Sequence, residues 1–233
     1  TAAEWHSTGP DLGFSQTFPR HDSFRGVNFN PRCQRLCERM KTHSWKPLAE
    51  ICIPGSLTCG QRFKRIDAEP EYAYRLIGQK QLFWLRPEGR WIAKSTVGEE
   101  VFVGTVMIAA QGTLGESELY CRAEFIWGPS TELAYTQHLL RAVANQDIMP
   151  RGCLYAFLRS ETAFRMLRSI SMGTKLQDHH HALLRELPVP YPPEEARDRI
   201  HSMVVEAYEA RHRAVSLEKE AIQLVEKAIM GET

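Results

Sequence analysis

The alternation of apolar and polar positions changes its period several times along the chain. Residues 1–30 carry Gly9-Pro10, Phe18-Pro19, Asn28 and Asn30 among scattered aromatics and keep no period of 2 or 3.6, which predicts an irregular lead-in. Asn30-Pro31 then reads as a cap followed by a proline at the first helical position, and Cys33, Leu36, Cys37 and Met40 recur at i, i+3, i+4 and i+7. Both cysteines therefore belong on the buried side of a helix. Between 48 and 125 short β-rich runs alternate with turn residues, and 72–77, 81–85, 101–109 and 118–126 are predicted strands. A helical period returns over 152–170, where Leu154, Phe157, Leu158, Phe164, Leu167 and Ile170 share one side, with a break near Ser160.

Prolines then interrupt the pattern. Leu187-Pro188-Val189-Pro190-Tyr191-Pro192-Pro193 cannot continue a helix, because proline removes an amide donor and pushes its predecessor into extended backbone. Beyond this stiff connector, Glu194 and Glu195 suit the positive end of a new helix, and no Pro or Gly follows before Gly231. A continuous helix there spans roughly 55 Å at about 1.5 Å per residue. Ile200, Met203, Ala207, Ala210, Ala214, Leu217, Ala221, Leu224 and Ala228 alternate three and four apart, the spacing of a coiled-coil seam. A second stripe of Val204, Tyr208, Val215, Ile222, Val225 and Ile229 runs beside it and needs a second partner or the body of the protein to cover it. A terminal helix more often folds back on its own domain, but the long heptad phase and the proline spacer favour a projecting, partner-binding helix.

Composition narrows the function classes. With 233 residues, 43% hydrophobic and 24% charged, the chain is large enough for a substantial core, and it begins at Thr1, as a trimmed piece of a longer chain would. A net charge of +1 gives no overall polyanion-binding signature, so any nucleic-acid face must be local. Charge is uneven at that scale: residues 61–95 hold eight Lys or Arg against four acids, whereas 182–233 hold seven against ten, which suits one part meeting phosphate and the other a protein. The longest nearly uncharged apolar run, 101–110, is half the ~20 residues a bilayer requires, so the expectation is a cytoplasmic protein with no membrane partner. Six scattered cysteines are expected to be reduced thiols.

Enzymatic motifs are sparse. His179-His180-His181 points in alternating directions on a strand or around a helix, and Cys33/Cys37 with Cys52/Cys59 lacks close Cys-x-x-Cys knuckles, so no metal is expected. Neither a nucleophile elbow nor an adenosylmethionine-binding glycine motif is evident. The chain alone is read as non-catalytic and without a cofactor.

Three ordered features resemble one half of a type I restriction–modification specificity subunit. They are Gly60-Gln61-Arg62-Phe63-Lys64-Arg65-Ile66 followed by Leu76-Ile77-Gly78; then Val106-Met107-Ile108-Ala109-Ala110 running into Gln111-Gly112-Thr113-Leu114-Gly115; then Gly152 to Leu158, Gly173-Thr174-Lys175-Leu176-Gln177-Asp178-His179, the run from Leu183 through the proline connector, and the long helix. Each motif alone is common, but the ordered set is more specific and covers residues 25–230. The resemblance implies an α+β target-recognition domain with a twisted β-sheet and flanking helices over 31–187. A proline connector at 188–193 and a coiled-coil helix at 194–233 would follow. It further implies duplex DNA as a partner, an adenine methyltransferase modification subunit carrying S-adenosylmethionine, a restriction subunit as a further member, and a phage-defence role. Members of that family carry two such halves whose helices pair antiparallel. This sequence has one, so it is expected to self-associate or to pair with a second half.

Gln61, Arg62, Lys64 and Arg65 are the strongest DNA candidates, since Arg and Lys bind phosphate or the guanine edge and Gln reads adenine. For any one of them a solvated basic loop is an equal alternative. Gln111 and Thr113 sit in a turn where glycines let backbone approach phosphate, and Lys175, Gln177 and His179 precede a helix predicted to start at Asp178. Lys80 is a candidate on charge alone. Ile200, Met203, Ala207, Leu217 and Leu224 are the partner-binding candidates. Two other classes remain: a non-catalytic coiled-coil assembly adaptor, and an RNA-binding module using Gly112-Thr113-Leu114-Gly115 as a Gly-x-x-Gly clamp.

Overall fold

A computed structural model of the chain describes Ser23, residues 25–98 and residues 101–231; most of the irregular lead-in, 1–22 and 24, lies outside the described residues. Along the chain run α1 (Pro31–Lys41), β1 (Trp45–Pro47), α2 (Leu48–Ile51), β2 (Thr58–Cys59), β3 (Ala73–Ile77), α3 (Gln79–Leu82), β4 (Trp91–Ala93), β5 (Val106–Ala109) and β6 (Ala123–Phe125). Then come β7 (Ala134–Tyr135), β8 (Leu139–Ala142), α4 (Arg151–Arg159), α5 (Glu161–Ser169), β9 (Ser171–Met172), β10 (Asp178–His179), α6 (His181–Arg185), β11 (Pro188–Pro190) and α7 (Glu194–Met230). The fold is α+β. A four-stranded antiparallel sheet has the order β2-β8-β5-β6, and a three-stranded sheet has the order β4-β3-β7, in which β3 and β7 run parallel.

β5 lies at the centre, and all four of its residues are buried. Alternate side chains leave its two faces: Val106 and Ile108 pack with Leu154 and Leu158 of α4, while Met107 packs with Leu139, Ile77 and Tyr135 toward the three-stranded sheet. Burial on both faces explains why the run is continuously apolar rather than alternating. Its neighbour β8 is one of several strands that the apolar pattern does not predict, with β1, β2, β4, β7, β9, β10 and β11.

The helix starts and stops follow local chemistry. Asn30 accepts from the amides of Arg32 and Cys33 at the start of α1, with Pro31 in the first turn. Ser160 ends α4 and caps α5 through the Ala163 amide, which is the break expected at that position. Two expectations fail. Residues 81–85 form no strand, because Gln79–Leu82 is a helical turn and the following residues bend. No helix begins at Asp178, because Asp178–His179 pairs with Ser171–Met172 and the helix starts at His181.

Pro188–Pro190 is a strand, not a free-standing spacer. It pairs antiparallel with Trp45–Pro47, bracketed by the Leu48 amide on Leu187 O (2.9 Å) and the Tyr191 amide on Ser44 O (2.8 Å), and Val189 is fully buried. A two-stranded pair leaves alternate amides unneeded, so prolines are tolerated at both ends of the strand.

The first half of α7 lies against α4. Gly152 allows this approach: a Cβ there would sit 2.6 Å from His201 Nδ1 and 3.1 Å from the His201 backbone. His201 Nδ1 in turn accepts from the Gly152 amide at 3.0 Å, satisfying an N-terminal donor of α4. Tyr208 is the anchor. Its hydroxyl donates to Glu124 and accepts from Tyr155 at 2.8 Å, while Arg211 Nη1 donates to Glu124 at 3.0 Å and its Nη2 to Trp84 O at 3.2 Å. Beside this network Trp84, Trp91, Leu133 and Val215 frame an open cleft of about 630 Å³. Among the described residues no helix is long and apolar enough to cross a membrane.

Candidate nucleic-acid interface

The basic loop leaves the edge strand β2 and runs without regular structure. Phe63 turns inward against Leu76, Ile92 and Ala134, and that anchor leaves Gln61, Arg62, Lys64 and Arg65 exposed around it. Beneath them lies the turn between β7 and β8. Arg65 Nη2 donates to Gln137 Oε1 at 3.4 Å, and Arg62, Phe63, Lys64, Arg65, Gln137 and His138 line an open polar cleft of about 650 Å³.

Hydrogen bonds tie the remaining candidate loops to this one. His138 O accepts from the Ala110 amide at 3.0 Å, which places the β7–β8 turn beside the end of β5. The Gln79 amide then clamps the next residue from both sides: its Nε2 donates to Gln111 O at 2.9 Å and its Oε1 accepts from the Gln111 amide at 3.1 Å. This draws Lys80 to Gln111. Gly112 and Gln177 exchange backbone hydrogen bonds of 2.8 and 3.3 Å, which joins the turn carrying Thr113 to the turn carrying Lys175. Gly173 in that turn has φ +100, and a Cβ there would lie 2.3 Å from Leu176 O, so only glycine closes it. Lys80, Thr113 and Lys175 are exposed and Gln111 is half-buried.

Two candidates leave the interface. Gln177 is 4% exposed; its Oε1 accepts from both terminal nitrogens of Arg25 at 3.3 Å, and its Nε2 donates to Thr174 O. His179 is buried against Tyr120, with ring centroids 5.0 Å apart, and its Nε2 lies 3.4 Å from Cys121 Sγ. Burial pushes its pKa down to about 4, so the ring is neutral at pH 7. Neither side chain meets a ligand from solvent. The physical reason is the strand pairing of Asp178–His179, which directs 177 and 179 inward together. Gln79, Gln137 and His138 were missed. The polar triplet Thr136-Gln137-His138 between two apolar runs was the available signal for a turn, but nothing local aimed it at residue 65.

The other histidines of the triplet diverge, His180 accepting from the Leu183 amide at the start of α6 and His181 exposed. Among the described residues no group of three or more His, Cys, Asp or Glu is placed to hold a metal ion. Burial also pushes the Cys52 thiol up to about 12, far from the thiolate a nucleophile requires.

On α7 the two stripes separate. Val204 and Val215 are half-buried and Tyr208 is buried against the body, whereas Met203, Leu217 and Leu224 stay 61, 64 and 61% exposed. Ala207 is exposed too. Ile200 instead packs against the core of the domain, so the available seam begins at Met203.

No protein-family model matches the chain, and no curated protein matches it. Among solved structures it is similar to the HsdS subunit from Thermoanaerobacter tengcongensis, with 18% identity and a TM-score of 0.47 over 80% of this chain and 47% of that one. It is also similar to the S subunit of a type I restriction–modification system from M. genitalium, with 13% identity and a TM-score of 0.44 over 76% of this chain and 41% of that one. A third similar chain comes from a type I R-M system solved for its complex assembly and conformational transition, with 19% identity and a TM-score of 0.47 over 79% and 47% of the two chains. The chain thus spans less than half the length of each of these structures.

Proposed function

We propose that this chain is a DNA specificity half-subunit of the type I restriction–modification kind. Residues 31–187 recognise a duplex, 188–193 connect, and the C-terminal helix α7 pairs with a second half and holds a methyltransferase modification subunit. The observation that supports this best is the hydrogen-bonded joining of loops far apart in sequence, among them those that carry Arg65, Gln111, Thr113 and Lys175. Cations suit phosphate, and the amides and hydroxyl suit base edges in the major groove. The chain itself needs no cofactor in this role; S-adenosylmethionine belongs to the partner. A restriction subunit would join the same assembly in phage defence.

The test is recovery of the chain from its native cytoplasm, with mass spectrometry of its partners and sequencing of the bound nucleic acid. An enriched duplex motif together with an adenosylmethionine-dependent methyltransferase is the expected result. Partners without DNA would instead support a coiled-coil adaptor, and RNA enrichment an RNA-binding module. On the selected duplex, Arg62→Ala and Lys64→Ala should each weaken binding and reduce the slope of log K against log salt by about 0.9 per lost phosphate contact. Unchanged affinity for both removes this loop from the interface.

A further inference from the structure

Resting on that reading, we propose that Arg168 is a positioning residue for DNA specificity: its guanidinium fixes the turn that presents Thr113 to the duplex. Six consecutive residues, 113–118, are exposed, so burial does little to choose a conformation for this turn. Arg168 does so instead. From α5 its Nη1 donates to Leu114 O and its Nη2 to Gly115 O, both at 2.7 Å, gripping two successive carbonyls with the two prongs of one planar group.

The side chain is expensive for a merely structural part. Arg168 is only 7% exposed and its guanidinium lies 4.2 Å from the centre of the Phe164 ring, an environment in which an apolar residue would be buried at less cost. Arg165, one turn earlier, adds a second tether by pairing with Glu116 at 2.6 Å. That pair also draws back and neutralises a carboxylate that would otherwise repel phosphate from the turn. Two buried arginines of one helix are thus committed to a turn that itself buries almost nothing. What they fix is the place of the turn relative to Gln111 and Lys175, which the Gly112–Gln177 bonds join to its other end.

The experiment compares wild type, Arg168→Lys, Arg168→Met, Thr113→Ala and the Arg168→Met/Thr113→Ala double variant on the duplex the wild type selects and on its single-base substitutions. Lysine keeps charge and burial but cannot reach both carbonyls as a fork, so it tests geometry apart from the loss of charge that methionine brings. Both Arg168 variants should lose about tenfold discrimination at the base pairs that Thr113→Ala affects, with an unchanged salt slope. The double variant should lose no more than either single change, because one effect acts through the other. Amide exchange over residues 113–117 should rise without DNA present. Wild-type discrimination in folded Arg168→Lys, or additive losses in the double variant, overturns the proposal. If the wild type selects no duplex, the specificity reading itself fails and the proposal falls with it.

Discussion

His179 illustrates how one side chain changes role between the sequence and the fold. It is an imidazole expected at a nucleic-acid surface, and it is instead held in the core beside Tyr120 and Cys121, with burial pushing its pKa from 6.5 to about 4. The folded state therefore binds fewer protons than the unfolded state between those values, and stability must fall as pH drops. The contribution is fully present above pH 6.5 and is lost progressively toward pH 4, reaching about 2 kcal/mol by pH 5 at 1.36 kcal/mol per pH unit. Urea titrations of wild type and His179→Phe at pH 7.5 and pH 5 should show this as a difference of differences, with the variant losing less stability on acidification. Equal losses in the two proteins would mean that the ring is hydrated or charged in the fold. Burial likewise pushes the Cys52 thiol up to about 12, toward its neutral form.

Among the elements, α7 is the one whose two halves do different work. Its first half meets the domain through a polar knot at Tyr208, Tyr155, Glu124 and Arg211, and its second half carries Ile222, Leu224, Val225 and Ile229 at 46, 61, 60 and 77% exposure. Tyr208→Phe preserves the volume of the knot but leaves the Tyr155 hydroxyl without its acceptor and Glu124 without one donor. It should cost about 1–3 kcal/mol, the usual range for orphaning buried polar groups. Chemical denaturation gives that cost, while helical circular dichroism should stay unchanged because the substitution leaves the helix propensity of α7 almost untouched. An unchanged denaturation midpoint would show that the Tyr208 hydroxyl adds nothing to the remaining contacts of α7 with the domain, such as those of Ile200, His201 and Arg211. A variant with lower stability and normal helicity would instead make the Tyr208 hydroxyl part of what fastens the helix to the domain.

For the whole molecule, what was legible in the sequence is what short-range chemistry decides. The Asn30-Pro31 cap, the break at Ser160 and the long C-terminal helix each follow from residues within one or two turns of the feature itself. What was illegible depends on distant partners. The turn at Gln79–Leu82 is tied to Gln111, 32 residues away, and Leu139–Ala142 is central because strands on both sides claim it. The basic loop was legible as charge but not as a site, since Gln137 and His138 reach it through the sheet. The seam on α7 was legible as a heptad pattern, and the fold divides it, taking Ile200 and leaving Met203, Leu217 and Leu224 in solvent. An exposed apolar stripe of that length calls for a partner helix. If a second copy supplies it, light scattering at tens of micromolar should give twice 26.7 kDa for the wild type and the single value for the Leu217→Asp/Leu224→Asp variant, because two charges per helix would have to be buried in the seam. Both variant positions are more than 60% exposed in the single chain, so thermal stability should change little. A wild type of single mass would assign the stripe to a different chain, and equal masses above 26.7 kDa for both proteins would place self-association somewhere other than this seam.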